Sequence, residues 1–85
     1  MTPNIILFGS NRCKFCLMQK KKLEAAFSED DWLYVDCLSD EGGLSLAQDF
    51  GVENLPTLVL MKEDKVLYKE EGVTEASTIK KMLKC

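Results

Sequence analysis

The fold is indicated most clearly by residues 4–16, which read NIILFGSNRCKFC. Asn4 to Phe8 has the apolar, β-branched character of a short buried strand, and Gly9-Ser10-Asn11 closes it. The periodicity that follows predicts a helix from Cys13 to Phe27, with Cys16 on its inward face. The cysteine pair is therefore predicted to lie at the junction between a strand and the start of a helix.

The rest of the chain alternates between strand and helix patterns. Residues 32–37 alternate with a period of two, and Gly51 suits the C-terminal cap of a helix in which Leu44, Ala47 and Phe50 point inward. The predicted strands are Asn4–Phe8, Trp32–Cys37, Thr57–Met61 and Val66–Glu70, and the predicted helices are Cys13–Phe27, Asp40–Phe50 and a last one capped by Thr74.

This element order is β-α-β-α-β-β-α, which predicts an α/β fold with a four-stranded mixed sheet. The first strand, helix and strand form a crossover unit with parallel strands, and the hairpin adds an antiparallel edge. With 85 residues, 46% of them hydrophobic and 29% charged, we expect one small globular domain over residues 1–85.

Charge and hydropathy exclude several classes of protein. Eleven basic and fourteen acidic residues give a net charge of −3, which disfavours a nucleic-acid binder with a basic footprint. No apolar run approaches the ~18 residues of a membrane span. The N-terminus Met1-Thr2-Pro3-Asn4 lacks the features of a secretory signal. We therefore expect a soluble, cytoplasmic, monomeric protein with neither nucleic acid nor membrane as a partner.

The chain contains four cysteines, Cys13, Cys16, Cys37 and Cys85, and no histidine. Two structural disulfides would suit a secreted protein, but in a reducing compartment a close pair is typical of catalysis or metal binding. Without histidine, mixed Cys-His zinc sites and Cys-His hydrolases are excluded. We expect Cys37 to be a buried small hydrophobe and the terminal Cys85 to be an incidental thiol.

The position of Cys13 favours chemistry at its sulfur. Unpaired backbone N–H groups at a helix N-terminus stabilise an anion, and the flanking Arg12 and Lys14 act in the same direction. Cys16 lies one helical turn further along, close enough to form a disulfide after a small adjustment of that turn. Cys13 is thus the predicted attacking thiolate and Cys16 the predicted resolving thiol.

A second motif, Asn54-Leu55-Pro56-Thr57, directly precedes an apolar strand. Proline at the start of a strand removes only a terminal hydrogen-bond donor and needs no functional explanation. Alternatively, a cis Leu55–Pro56 bond would turn the backbone of Leu55 outward to pair with an extended substrate. Both interpretations stay open on the sequence alone.

These residues together resemble the thioredoxin superfamily across nearly the whole chain. The cysteine motif and Tyr34-Val35-Asp36 are similar to a dithiol glutaredoxin, whereas Leu55-Pro56-Thr57 is similar to the approach of thioredoxin to its cis-proline. The resemblance implies a thioredoxin fold in its minimal, glutaredoxin-like form. It also implies that Cys13 is the nucleophile, that Cys16 resolves, and that Pro56 is a cis-proline facing them.

The chain also departs from both family patterns. The buried aspartate that thioredoxins carry six residues before the motif is Leu7 here, and Lys14-Phe15 separates the cysteines. Of the glycine pair with which glutaredoxins hold glutathione, Gly72 remains, and Glu71 precedes it. The candidate substrate-binding residues are Arg12, Lys14, Phe15, Leu55, Pro56, Thr57 and Gly72.

We therefore predict a thiol-disulfide oxidoreductase that reduces disulfide-containing proteins. It would carry no bound cofactor and would draw electrons from thioredoxin reductase with NADPH or from glutathione. Two alternatives remain: a metal-binding or iron–sulfur-cluster module using Cys13 and Cys16, with Cys37 as a possible third ligand, and a binding module that uses the Leu55-Pro56 edge.

Overall fold

The structure is a computed structural model that describes residues 4–84. The expectations for the first three residues and for Cys85 concern positions outside this range. The elements are β1 (Ile5–Gly9), α1 (Lys14–Ala26), β2 (Trp32–Asp36), α2 (Gly43–Asp49), β3 (Thr57–Lys62), β4 (Lys65–Glu71) and α3 (Ala76–Lys84). This is the predicted order β-α-β-α-β-β-α, and most element ends agree with the prediction to within one residue.

The four strands form one mixed sheet in the order β2-β1-β3-β4. β1 pairs parallel with β2 and antiparallel with β3, and β3 pairs antiparallel with β4. The predicted four-stranded mixed sheet with a parallel crossover unit and an antiparallel hairpin is therefore confirmed. Because Phe8 pairs with Thr57, the C-terminal end of β1 and the start of β3 lie at the same edge of the sheet.

Both faces of the sheet are covered, which explains why every residue of β1 is buried. Alternate residues of a strand point to opposite faces, so the core divides into two clusters. The cluster on the α2 side contains Ile6, Phe8, Val35, Cys37, Ala47, Val59 and Met61. The cluster on the side of α1 and α3 contains Ile5, Leu7, Leu23, Leu58, Leu60 and Ile79.

The second helix is shorter than predicted, since it begins at Gly43 rather than at Asp40. The N–H of Gly43 bonds to the carbonyl of Asp40, and Gly42 has a left-handed backbone with φ of 75°, so this segment forms turns instead. Leu44 was predicted to point inward, which is wrong: it is 56% exposed, and Leu46 packs against the core in its place. Gly51 follows the helix with φ of 69°, as expected of a C-terminal glycine.

The last helix begins at Ala76, so Thr74 is not its cap. The backbone of Thr74 is instead bonded to the side chain of Gln19 on α1. The carbonyl of Glu75 accepts the bond from the N–H of Ile79 that opens the helix. Within residues 4–84, no helix has the length and apolar character needed to cross a membrane.

Candidate active site

Cys13 is the N-cap of α1, and its sulfur accepts a hydrogen bond from the backbone N–H of Cys16 at 3.3 Å. The helix N-terminus therefore directs an amide donor at this sulfur, an arrangement that stabilises negative charge. Cys13 is partly exposed, whereas Cys16, on the first turn of the helix, is fully buried. Both thiols are free, and only Cys13 is open to a partner molecule.

Gly9, the last residue of β1, lies against the inner cysteine. A Cβ at this position would stand 2.9 Å from the Cβ of Cys16 and 3.1 Å from its sulfur. It would also stand 3.2 Å from Cε1 of Tyr34. Only glycine at position 9 leaves room for the Cys16 side chain to pack against β1. Gly9 therefore allows the inner thiol to be fully buried.

Burial is the main cause of the raised pKa of the inner thiol, Cys16. Removal from water raises the pKa of Cys16 to about 12, with further contributions from its hydrogen bond with Cys13 and from the charge of Cys13. The pKa of Cys37, which is also buried, is raised for the same first reason and by the neighbouring Asp36. Cys16 therefore stays protonated at neutral pH while the reduced protein is at rest.

The loop that leads into Cys13 is held by the end of β2. The buried carboxylate of Asp36 accepts hydrogen bonds from the backbone N–H groups of Asn11 at 3.2 Å, and of Leu38 and Ser39 at 3.0 Å each. Burial alone would raise the pKa of Asp36, but these donors outweigh it and hold the pKa below its usual value. Asp36 thus acts as an ionised anchor for the loop.

Tyr34 anchors the same loop through its side chain. Its hydroxyl donates a hydrogen bond to Oδ1 of Asn11 at 3.1 Å, and the ammonium group of Lys20 lies 4.7 Å from the centre of its ring. Burial, followed by the negative charge of Asp36, raises the pKa of Tyr34 to about 12. The hydroxyl therefore remains a donor throughout the physiological range.

The Leu55–Pro56 peptide bond is cis, which is the state that the resemblance implied. The carbonyl of Pro56 accepts a hydrogen bond from the N–H of Gly72 at 2.9 Å, and Nδ2 of Asn54 donates to the carboxylate of Glu71 at 3.0 Å. Gly72 has φ of 83°, a backbone conformation that favours glycine. These hydrogen bonds connect the proline motif to the end of β4 and to Gly72.

Sheet register places the proline motif at the same end of the sheet as the cysteines. Thr57 pairs with Phe8, which is followed by Gly9 and by the loop that ends at Cys13. Pro56 therefore lies at the end of the sheet from which α1 starts. The side chain of Thr57 is fully buried, and its hydroxyl bonds to the carbonyl of Asn54, so it supports the turn rather than facing outward.

The remaining predicted site residues differ in exposure. Arg12 and Lys14 are exposed, and Phe15 is 57% exposed between the two cysteines. Leu55 is partly buried and packs against the core cluster on the α2 side. Cys37 is buried in that cluster, as expected of a small hydrophobe. Residues 4–84 contain no group of three or more Cys, Asp or Glu side chains that could bind a metal ion. The alternative of a metal- or cluster-binding module is therefore not favoured.

Sequence reasoning missed three residues that shape this site: Gly9, Gln19 and Asp36. Gln19 is fully buried, and its amide bonds to both the N–H and the carbonyl of Thr74. A polar residue on the inward stripe of α1, between Cys16 and Leu23, was the available signal. For Asp36, the signal was its position at the carboxyl end of a parallel strand.

The structure combines a crossover unit that carries Cys-x-x-Cys at the start of its helix with a hairpin whose first strand begins after a cis-proline. Together these features define a dithiol protein of the thioredoxin fold. Comparison with known proteins agrees with this class. A thioredoxin of Chlamydia muridarum is 27% identical over 79 residues, which cover 93% of this chain and 78% of that protein. No protein-family model matches the chain.

Solved structures are similar over almost the same range. A thioredoxin of Nicotiana alata has a TM-score of 0.71 and 28% identity, covering 94% of this chain and 70% of its own. Thioredoxin-2 of the malaria parasite has a TM-score of 0.79 and 24% identity, covering 99% of this chain and 84% of its own. The chain is therefore similar to thioredoxins in sequence and in fold, and the names of the relatives at 27% and 28% identity support an oxidoreductase kind of role.

Proposed function

We propose that this protein is a thiol-disulfide oxidoreductase that reduces the disulfides of partner proteins by dithiol exchange. The observation that carries the proposal is the pairing of an N-cap sulfur, Cys13, with a fully buried thiol, Cys16, one turn behind it. Exposure and the amide donor suit Cys13 to attack, whereas burial reserves Cys16 for the second step.

In the first step the thiolate of Cys13 attacks one sulfur of the substrate disulfide. A new S–S bond forms to Cys13, the substrate S–S bond breaks, and the departing sulfur takes a proton from water. The product is a mixed disulfide that holds the substrate on Cys13. The electron pair of the broken substrate bond leaves with the departing sulfur, so the substrate has gained one thiol and Cys13 has been oxidised to the disulfide level.

In the second step Cys16 loses its proton and attacks the sulfur of Cys13. The mixed disulfide breaks, the second substrate sulfur leaves as a thiolate and is protonated, and a Cys13–Cys16 disulfide remains. Once Cys13 is in a disulfide, it no longer carries the charge that contributed to the raised pKa of Cys16. Overall the substrate gains two electrons and two protons. Both electrons come from the cysteine pair, one proton is released by Cys16, and water supplies the other because Cys13 reacts as a thiolate.

We further propose that the disulfide form is recycled by thioredoxin reductase with NADPH rather than by glutathione, in a reducing compartment such as the cytoplasm. The carboxylate of Glu71 is held by Asn54 directly before Gly72, where it would repel an anionic tripeptide. The two recycling systems can be compared directly by following NADPH oxidation with each reductase, and faster turnover in the glutathione system contradicts this part.

Turnover of a protein disulfide with dithiothreitol as reductant tests the central proposal. The wild-type protein accelerates reduction, and Cys13→Ser abolishes the acceleration because no other described thiol combines exposure with a helix N-cap. Cys37→Ala is the matched control: it removes a buried thiol outside the pair and retains activity. Full activity in Cys13→Ser rules out the mechanism.

A further inference from the structure

The outer side of α1 carries a groove that the exchange reaction does not use. It encloses about 400 Å³ and is lined by Asn11, Arg12, Lys14, Leu17, Met18 and Lys21. Lys14, Leu17, Met18 and Lys21 follow the helical spacing of three to four residues, so they form one stripe along the helix. This stripe lies opposite the buried residues Cys16, Gln19 and Leu23.

The cations of the groove have no partner within the described chain. Arg12, Lys14 and Lys21 form no ion pair with any carboxylate of residues 4–84. Their neighbours differ, since Lys22 pairs with Glu75 at 3.0 Å and Lys20 lies over the ring of Tyr34. The groove therefore carries three unpaired positive charges, and no acidic residue lines it, although the protein has a net charge of −3. This arrangement points to an external anionic partner.

The floor of the groove is apolar. Leu17 is 37% exposed and Met18 is 42% exposed, and both lie between Lys14 and Lys21 along the stripe. Seven residues of helix separate those two lysines by about 10 Å. A complementary ligand therefore carries carboxylates spaced by about this distance, with an apolar side chain between them.

We propose that this groove binds an acidic segment of the partner protein, close to the disulfide that Cys13 attacks. The inference rests on the proposed function and specifies its substrate class. Arg12 directly precedes Cys13 and also lines the groove, so a segment bound there continues into the reactive sulfur. Docking along α1 then supplies selectivity for acidic clients, while the cysteine pair supplies the reaction.

Two synthetic peptides test the proposal. Each contains one intramolecular disulfide followed by a flank in which two glutamates stand three positions apart, about 10 Å in an extended chain, with a leucine between them. In the control peptide, glutamines replace both glutamates. Lys21→Glu is the informative variant because Lys21 lies about two helical turns beyond Cys13. Lys65→Glu, which makes the same charge change at an exposed position of β4, is the matched control.

Lys21→Glu lowers kcat/KM for the acidic peptide by roughly three- to tenfold at low ionic strength and leaves the glutamine peptide unchanged. The difference shrinks in about 1 M salt, where the Debye length is about 3 Å. Equal losses on both peptides, no loss, or an equal loss with Lys65→Glu overturn the proposal. If the wild-type protein reduces neither peptide, the proposed function itself is wrong, and this inference falls with it.

Discussion

The side-chain amide of Gln19 pairs with the backbone of Thr74 in both directions. Its Nε2 donates to the carbonyl of Thr74 at 3.0 Å, and its Oε1 accepts from the N–H of Thr74 at 2.6 Å. Gln19 stands one turn beyond Cys16 on the same buried face of α1. The pairing therefore fixes the helix that carries both cysteines to the segment that follows Gly72.

Replacing Gln19 by leucine keeps the approximate volume but leaves two backbone groups of Thr74 without partners. We expect Gln19→Leu to lower the free energy of unfolding by about 1–3 kcal/mol, measured by urea denaturation. Gln48→Leu, at an exposed position of α2, is the control and changes stability by less than about 0.5 kcal/mol. Equal stability of the two variants contradicts a structural role for the Gln19 amide.

A methyl group at Gly9 would collide with Cys16 and Tyr34. Gly9→Ala should therefore destabilise the protein by about 1–3 kcal/mol and make the inner thiol more accessible to alkylation. Gly42→Ala is the control. Alanine is disfavoured at this position by the φ of 75°, but nothing lies within 4 Å of the added Cβ. If both variants expose Cys16 equally, close packing at Gly9 does not set the burial of the thiol.

Asp36 gives stability a specific dependence on acid. Its pKa is lowered in the folded protein because three backbone donors outweigh the effect of burial, so unfolding at low pH takes up a proton there. This contribution is complete above the ordinary carboxyl pKa of about 4 and is lost as the pH falls through the lower folded value. Asp36→Asn should flatten the decline of stability below about pH 4.

The control for this pH profile is Asp30→Asn, which removes an exposed carboxylate outside the loop before Cys13. Chemical denaturation at several pH values between about 2 and 7 compares the three proteins. An acid profile of Asp36→Asn that coincides with that of the wild type shows that the carboxylate does not anchor the loop.

The inner thiol gives stability an alkaline limit. Burial raises the pKa of Cys16 from 9.0 to about 12, so the folded state retains a proton that the unfolded state loses. The contribution is fully present below pH 9.0 and disappears as the pH rises toward 12.

The same burial protects the Cys16 thiol from alkylation. Iodoacetamide at pH 8 should therefore modify Cys13 well before Cys16, as mapped by mass spectrometry of peptides.

Denaturant provides the control for that labelling, because unfolding should make Cys13 and Cys16 react at similar rates. Rapid labelling of Cys16 in the native reduced protein contradicts its protected state. For stability, Cys16→Ala should show a shallower decline above pH 9.0 than the wild type.

Local sequence patterns were sufficient for the element order, the mixed sheet and the placement of Cys13 at a helix start. Each depends on residues close in sequence: an apolar strand, a cysteine pair one turn apart, and a proline directly before an apolar run. The start of α2 was less accessible, since the left-handed backbone at Gly42 and the turns around Asp40 interrupt a pattern that looks helical.

The supports of the site depend on partners distant in sequence, which no local pattern specifies. Gln19 and Thr74 are separated by 55 positions, and Asn11 and Asp36 by 25. The need for glycine at position 9 arises only when Cys16 and Tyr34 meet there. The position of the cysteine pair at the start of α1 was therefore predictable from the sequence, whereas the residues that hold this region in place were not.

Trapping of the mixed disulfide tests the central claim most directly. With Cys16→Ser, attack by Cys13 still occurs, but nothing resolves the product, so an intermolecular disulfide with a substrate protein accumulates. We predict that peptide mapping finds Cys13 in that bond and that dithiothreitol releases the substrate. A Cys16→Ser protein that forms no such adduct, or forms it through Cys37 instead of Cys13, contradicts the account.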